Sequence, residues 1–219
     1  MSAVKLTYLG HACFCLEAEG FRTVLDPYHD GMIPGLPPLR VEAEAEAVFC
    51  SHQHDDHNYL PAVTLTEREQ KAPYTVTELE VPHDDQGGRL RGMNTVRCFQ
   101  FPGLRVVHLG DLGRLLTEQE ARTLAGADCL LIPVGGYYTI DSRQAKQVIT
   151  QLSPRVIIPM HYRTDRTGFA QISRLEDFTE QFSAVRFCGS SLLLDGQTPG
   201  GVTVLTPEAL LKETNKSYQ

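Results

Sequence analysis

The chain has 219 residues, of which 42% are hydrophobic and 21% are charged, and its formal net charge at pH 7 is −7. This length allows one domain with a full hydrophobic core, and this composition excludes a largely disordered chain. The negative charge argues against a broad nucleic-acid-binding surface. No apolar run approaches the roughly 18 residues that a membrane-spanning helix needs, and the N-terminus lacks a signal-peptide core. We therefore expect a cytoplasmic protein that binds neither membrane nor nucleic acid.

Short strands dominate the first half of the chain. Hydrophobic periodicity predicts strands at Val4–Leu9, Ala12–Ala18, Phe21–Leu25, Ala47–Cys50, Tyr74–Val81, Thr95–Phe101 and Arg105–Leu109. A stretch rich in glycine and proline, from Pro27 to Pro38, cannot continue either regular structure and is predicted to be a loop. The six cysteines lie mostly within apolar runs, which indicates buried reduced thiols rather than disulfides.

Strands and helices alternate in the second half. Helices are predicted at Thr117–Leu124, Ser142–Leu152 and near Ser173–Phe182, and strands at Cys129–Val134, Val156–Met160, Val185–Cys188, Leu192–Leu194 and Val202–Leu205. Thr117 with Glu120 forms a capping-box pattern, and Asp141 precedes the second helix as its cap. This order favours an α/β fold in which helices cover two packed sheets, a four-layer sandwich. No interdomain linker is evident, so we predict a single domain over residues 1–219.

The histidine-rich segment 51–58, which reads SHQHDDHN, follows the strand Ala47–Cys50 directly. It leaves the sheet at a carboxyl edge, where the sites of α/β proteins collect. In extended chain His52 and His54 point the same way and can reach one ion. Asp56 and His57 come after a turn and can face a second ion from another direction. Because neutral imidazole is the commonest metal ligand, the segment predicts a metal site rather than a solvated polar loop.

More ligands have to come from elsewhere in the chain. His83 and His161 each follow a predicted strand, and Asp111 follows another through Gly110. Each of these residues alone is more often a cap or a surface residue. Their joint placement at strand ends indicates a shared cluster, because buried charged groups are rare unless they are paired or bound to metal.

The pattern His-x-His-x-Asp-His, then a single His, then Gly-Asp, then a final His resembles the metallo-β-lactamase fold superfamily. The resemblance runs from Thr7 to about Tyr162. Segments 8–14, 25–27 and 110–111 look most like the ascorbate-6-phosphate lactonase-like branch of small metal-dependent hydrolases. The resemblance implies an αββα sandwich. No cysteine occupies the second-metal position that marks several β-lactamases, so antibiotic hydrolysis is not expected.

The resemblance also implies a ligand set. His52, His54 and His83 would bind the first metal ion, Asp56, His57 and His161 would bind the second, and Asp111 would bridge both. Imidazole and carboxylate ligands suit Zn, Mn or Fe, and we expect two divalent ions with Zn first among these. Two such ions can hold a hydroxide and stabilise charge on the attacking and leaving oxygens, which predicts hydrolysis of an ester, lactone or phosphodiester of a small molecule.

Further roles are predicted for other residues, and most of them have two interpretations. Asp56 is predicted to orient the attacking water, and His108 is either catalytic or a buried histidine that bonds a carboxylate behind the site. His11 and Tyr138 either contact the substrate or serve the structure. Arg163 either clamps an anionic substrate group or is solvated or paired with Asp165 and Glu176. The loop Tyr28–Leu39 is predicted to overhang the metal site.

Two other functions remain open at this stage. The same ligands can hold two irons in an oxygen-reducing or oxygen-sensing protein, although such systems usually need an electron-transfer domain. A nucleic-acid phosphodiesterase is the second alternative, and the negative net charge counts against it. The sequence leaves the oligomeric state open, including a homo-oligomer.

Overall fold

The computed structural model describes residues 3–41, 43–66 and 70–211, which form two β-sheets and several short helices. In chain order the strands are β1 (Val4–Gly10), β2 (Cys13–Ala18), β3 (Phe21–Leu25), β4 (Ala47–Phe49), β5 (Thr75–Pro82), β6 (Met93–Phe101), β7 (Leu104–His108), β8 (Cys129–Pro133), β9 (Val156–Met160), β10 (Val185–Cys188), β11 (Ser191–Leu194) and β12 (Gly201–Leu205). The α-helices with defined ends are α1 (Glu118–Leu124), α2 (Ser142–Leu152) and α3 (Leu175–Thr179), and a 3₁₀ turn spans Leu60–Ala62.

The two sheets pack face to face. The first has the order β11-β1-β2-β3-β4 and the second the order β10-β12-β9-β8-β7-β6-β5. Leu6 and Phe14 of the first sheet share one buried cluster with Leu131 and Ile158 of the second. Alternate residues of the second sheet, such as Leu130, point the other way and pack beneath the helices. Burial on both faces explains why β8 and β9 read as continuous apolar runs rather than as alternating strands.

The first two helices begin where their caps predict. The side chain of Thr117 and the backbone at Glu120 form the predicted capping box. The Asp141 carboxylate accepts hydrogen bonds from Arg143 N at 2.9 Å and Gln144 N at 2.8 Å. Such caps stabilise a helix by about 1 kcal/mol. No helix in the described parts of the chain is both long and apolar enough to cross a membrane.

The outer face of the first sheet is covered mainly by irregular chain. Tyr28, Ile33, Leu36 and Leu39 of the predicted loop form a buried cluster with side chains of β1, β2 and β3. A helical turn at 208–211 adds Leu210 to the same cluster. The predicted αββα sandwich is therefore confirmed, with a thin outer layer on this side among the described residues.

The third helix is shorter than predicted. The sequence suggests a helix near Ser173–Phe182, whereas α3 spans Leu175–Thr179. Ser173 uses its backbone groups on other segments, because its N–H donates to Gly135 O at 2.6 Å and its carbonyl accepts from Arg163 N at 3.1 Å. These tertiary bonds hold residue 173 extended, so the helix cannot start there. The other elements match their predicted bounds to within two residues, and the six cysteines are free as predicted.

Strand directions bring several carboxyl ends to one edge. β3 and β4 are parallel, and β1 runs in the same direction because β1 and β3 each pair antiparallel with β2. In the second sheet β7, β8 and β9 are parallel, and β5 shares their direction through two antiparallel pairings. The backbone N–H of His161 donates to His11 O at 3.0 Å and joins the two sheets at this edge. Residues that follow these strands therefore meet.

The close approach at Gly113 gives a test of this packing. A Cβ at Gly113 would lie 2.1 Å from Asp84 N and 2.3 Å from His83 C, whereas a Cβ at Gly189 would meet nothing within 4 Å. We expect Gly113→Ala to lower the free energy of unfolding by about 2 kcal/mol or more, because backbone atoms have to move. Gly189→Ala should stay within about 0.5 kcal/mol of the wild type. Urea unfolding measures both, and equal effects would contradict the observed packing.

Candidate metal centre

A buried carboxylate organises the histidine-rich segment. Asp26 follows β3 in a left-handed backbone conformation with φ of 46°. Its carboxylate accepts from Ser51 N at 2.7 Å, Ser51 Oγ at 2.6 Å and His57 Nδ1 at 2.7 Å. The Ser51 hydroxyl in turn lies 2.9 Å from His52 Nδ1. With Nδ1 engaged on both rings, His52 and His57 are left to present Nε2 to the centre.

The remaining predicted ligands arrive from strand ends. His83 follows β5, Asp111 follows β7 and His161 follows β9. The backbone N–H of Asp111 donates to Asn94 Oδ1 at 2.8 Å, and Asn94 Nδ2 donates to Leu109 O at 2.9 Å. The Asn94 amide thus fixes the turn that delivers the carboxylate.

Close backbone packing holds His161 in place. Its φ is 52°, a conformation that few residues other than glycine adopt. A Cβ at Gly135 would lie 2.2 Å from His161 O, so the segment after β8 can pass this close only as glycine. The hydrogen bond from His161 N to His11 O, described above, fixes the opposite side.

The structure brings all seven predicted ligands together. Potential ligand atoms fall into three overlapping groups, each with its atoms within 4.8 Å of one another: His11, Asp56, His57 and His161; His52, His54 and His83; and His52, His57 and Asp111. The Asp111 carboxylate oxygens lie 3.4 Å from His83 Nε2, 3.2 Å from His161 Nε2 and 3.3 Å from His57 Nε2. Asp111 therefore lies against the two groups of which it is not a member, through His57 and His161 in the first and through His83 in the second.

Unpartnered buried atoms indicate what this cluster is for. Among the described residues, the buried side-chain atoms without a hydrogen-bond partner are His11 Nδ1, His52 Nε2, His57 Nε2, His83 Nδ1, Asp111 Oδ1, and both ring nitrogens of His161. Buried polar atoms without partners cost free energy, and these atoms all belong to one cluster. Imidazole nitrogens and carboxylate oxygens suit a divalent transition metal. The cluster is capable of binding metal.

Charge within the cluster is strongly coupled. Burial opposes ionisation of Asp111, yet His161 and His57 hold the pKa of its carboxyl well below the usual range. Burial also disfavours a proton on His57, but Asp111 and Asp56 raise its pKa well above the ordinary value. Burial and the neighbouring His57 lower the pKa of His52 to about 3. The carboxylates thus favour positive charge at His57, and a metal ion that binds this ring competes with a proton.

His11 lies within the cluster rather than on its substrate side. Its Nε2 is 3.2 Å from Asp56 Oδ2, and its ring centroid is 4.1 Å from that of His161. Burial and His161 lower its pKa to about 4. The substrate-binding role predicted for His11 stays a prediction, since this position suits contact with Asp56 or with a metal ion.

A cavity of about 310 Å³ opens onto the cluster. It is lined by Met32, His54, Asp56, His83, Arg91, Asp111, Tyr138 and Phe169. Met32 brings the loop Tyr28–Leu39 to the site, as predicted, whereas Ile33 and Leu36 line a separate apolar cavity beside His11. Tyr138 stands where the prediction puts it, in the loop after β8. The sequence reasoning missed Arg91 and Phe169, although a basic residue between Gly88 and Gly92, just after His83, was a usable signal.

Two predicted site residues lie outside both the ligand groups and this cavity. His108 is buried between the sheets, where its Nε2 lies 3.1 Å from Ala12 O and its ring meets Phe14 edge-on. This position favours a structural histidine over a catalytic one, but its hydrogen-bond partner is a backbone carbonyl and not the predicted carboxylate. The Nε of Arg163 donates to Ile172 O at 2.8 Å, which holds its loop together.

The acidic partners suggested for Arg163 also lie elsewhere. Asp165 and Glu176 pair with Arg174 at 2.7 Å and 3.3 Å. The placement of Arg163 therefore supports neither a clamp on the substrate nor an ion pair with these carboxylates.

Comparison with known proteins accounts for this arrangement. A family model described as a beta-lactamase superfamily domain matches residues 5–161. A UPF0173 protein of Pyrococcus furiosus is 30% identical over 189 residues, which cover 74% of this chain and 84% of that protein. A UPF0173 metal-dependent hydrolase of Archaeoglobus fulgidus is 28% identical, with the same two coverages.

A solved structure extends the likeness to the fold. A candidate Zn-dependent hydrolase of the metallo-beta-lactamase superfamily from Thermotoga maritima is 35% identical, with a TM-score of 0.73 over 92% of this chain and 98% of that one. The superfamily predicted from the His-x-His-x-Asp-His pattern is confirmed, while the lactonase-like branch stays a prediction. The match over most of the chain, together with the histidine and aspartate cluster, shows that the protein belongs to the metallo-β-lactamase superfamily and is a metal-dependent hydrolase.

Proposed function

We propose that the protein uses two divalent metal ions, zinc first among them, to hydrolyse an ester, lactone or phosphodiester bond in a small molecule. The observation that carries this proposal is that Asp111 touches both ligand groups and lines the same cavity as members of each. Seven candidate ligands also exceed what one tetrahedral ion uses. The cavity of about 310 Å³ is within the range of small-molecule sites.

The two groups suggest how the ligands divide. His52, His54 and His83 would hold one ion, and Asp56, His57 and His161 the other. The Asp111 carboxylate, with one oxygen near His57 Nε2 and the other near His83 and His161, would serve both. The Ser51 and Asp26 contacts orient two of these rings before any ion arrives, which lowers the reorganisation that binding requires.

Two divalent ions at such a centre supply Lewis acidity and acidify a bound water. The chain supplies the other parts of the reaction. Asp56 lines the cavity, and its carboxylate is held ionised because His57 and His11 outweigh the effect of burial on its pKa. The hydrogen bond from His11 Nε2 holds one Asp56 oxygen, so the carboxylate is oriented to accept a proton from attacking water. Tyr138 lines the same cavity, from which its hydroxyl can donate to a developing oxyanion.

Metal stoichiometry tests the ligand assignment. We expect about two ions per chain after reconstitution with Zn or Mn, measured by mass spectrometry of the digested protein. His52→Ala and Asp111→Ala should each lose at least one ion, because each removes a ligand of the cluster. His29→Ala is the matched control, since His29 is exposed and lies outside the ligand groups. A wild type that binds no metal, or variants that all bind as much as the control, would refute the assignment. An absorption spectrum distinguishes iron from zinc.

Asp56→Asn tests the proton-accepting carboxylate. The amide keeps an oxygen for a metal ion but loses the negative charge, so kcat for 4-nitrophenyl esters should fall about a hundredfold or more. Asp55→Asn, an exposed neighbour, should leave kcat unchanged. Metal content is measured for each variant to separate loss of metal from loss of the base. A kcat near the wild-type value would assign Asp56 to structure alone.

Asp26→Asn tests the carboxylate behind the cluster. Loss of its charge weakens the hold on His57 Nδ1 and makes His57 Nε2 a poorer ligand. We expect metal affinity to fall about tenfold to a hundredfold, as is typical when a carboxylate behind a metal-binding histidine is removed. Competition with a chromophoric chelator at fixed pH gives the affinity, and Asp55→Asn again serves as control. Unchanged affinity in a folded variant would show that Asp26 only supports the loop.

A further inference from the structure

Among the residues that the structure describes, Arg91 is the one arginine that lines the cavity of about 310 Å³ at the metal cluster. The residue lies in the loop between β5 and β6, eight positions after the candidate ligand His83. Its side chain is half-buried, and no carboxylate of the described chain pairs with it. Several other arginines do pair with a carboxylate, as Arg97 does with Glu78 and Arg114 with Glu120.

A buried carboxylate builds the loop that carries Arg91. Asp84 accepts hydrogen bonds from four backbone N–H groups: those of Gln86 and Gly88 at 2.8 Å, and those of Leu90 and Arg91 at 2.9 Å. Charge-assisted bonds of this kind are short and directional. The Arg91 backbone is therefore tied to the residue next to His83.

The guanidinium itself is held by aromatic rings. Its central carbon lies 5.5 Å from the ring centroid of Tyr138 and 6.0 Å from that of Tyr137. A guanidinium in cation–π contact with ring faces keeps its N–H groups available for a ligand. None of these N–H groups has an acceptor among the described residues. Aromatic faces and a fixed backbone thus pre-orient a donor that has no partner in the chain.

The rest of the cavity lining offers Arg91 no counter-charge. Met32 and Phe169 are apolar, and His54 and His83 contribute no anion. The two carboxylates in the lining, Asp56 and Asp111, would be neutralised by the ions that the proposed function places on them. An unbalanced guanidinium beside a cationic centre makes the cavity attractive to anions.

We propose that Arg91 binds an oxyanion of the substrate, a carboxylate or a phosphate, while the bond to be hydrolysed lies at the metal cluster. This inference rests on the proposed function and names the substrate class of that site. It assigns to Arg91 the recognition of anions that the sequence alone suggested for Arg163. Tyr138 has a second role in this arrangement, because its ring supports the guanidinium.

Direct binding tests the inference without turnover. Calorimetry of the zinc-loaded protein is carried out with glutarate, 3-phosphonopropionate and butyrate, of which the first two carry a second anionic group. We expect at least one of the first two to bind about tenfold or more tightly than butyrate, because a bidentate guanidinium bond is available to it. Whichever of glutarate and 3-phosphonopropionate gains more affinity over butyrate shows whether the site prefers a carboxylate or a phosphate-like group. No advantage for either would overturn the proposal.

Variants of the loop assign the effect. Arg91→Gln should abolish the advantage of the dianions and leave butyrate binding unchanged, and Arg91→Lys should keep only part of it, since lysine lacks the planar fork. Arg89→Gln is the matched control, because Arg89 is exposed on the same loop and does not line the cavity. Metal content and melting temperature are measured for each variant. An advantage that survives in a folded, metal-loaded Arg91→Gln would overturn the proposal.

Kinetics separates this inference from the proposed function. With mono-4-nitrophenyl glutarate and 4-nitrophenyl butyrate as a matched pair, Arg91→Gln should raise KM about tenfold for the anionic ester only and leave kcat unchanged, because binding rather than chemistry is lost. Equal effects on both esters would overturn the role of Arg91 while hydrolysis stands. If neither ester reacts but the dianion preference in binding depends on Arg91, ester hydrolysis is refuted and the anion site stands.

Discussion

The buried carboxylate of Asp111 imposes the constraint on which this centre depends. It lies within 3.4 Å of nitrogen atoms from three imidazoles, and it is only 2% exposed. Against the effect of burial, Asp111 and Asp56 raise the pKa of the His57 imidazole, so these carboxylates favour positive charge between them. Buried charge is tolerated only when it is compensated. This cluster of buried carboxylates and imidazoles therefore favours a bound cation. Because a metal ion binds only the deprotonated imidazole, metal ions and protons compete for these ring nitrogens.

The strand directions of the sandwich allow several ligands to surround the Asp111 carboxylate. Ligands that converge on one point must come from several strands whose carboxyl ends share an edge. The parallel pairings of β3 with β4, of β7 with β8 and of β8 with β9 supply that edge. Each delivery costs local strain or close packing: His161 takes a left-handed backbone, and Gly135 and Gly113 admit backbone contacts that no side chain would allow. Rigid strands on both sides of the core hold these conformations in place. The geometry of the metal centre thus depends on the stability of the two sheets.

Much of this centre could be predicted from sequence because its information is local. Four ligands stand in one short segment, and the strand periodicity correctly predicts that His83, Asp111 and His161 emerge at one edge. The depth of His108 was not predictable, since it depends on how β7 pairs and on a bond to Ala12, 96 positions earlier. The short α3 has the same origin, because backbone bonds of Ser173 to distant segments override its local helical pattern. Tertiary contacts decided each of these outcomes.

The two sides of the cavity also differ in whether strands or loops build them. The metal side is built from strand ends, whose positions follow from sheet pairing, and such positions vary little when surface loops change. The opposite side is built from loops: Met32, Arg91, Tyr138 and Phe169 each lie in a different connection between elements. Loops tolerate substitution better than strands do. A scaffold of this kind can therefore keep one hydrolytic chemistry and change the group that it recognises by altering these loops, and in this chain the Asp84-anchored loop gives that recognition a positive charge.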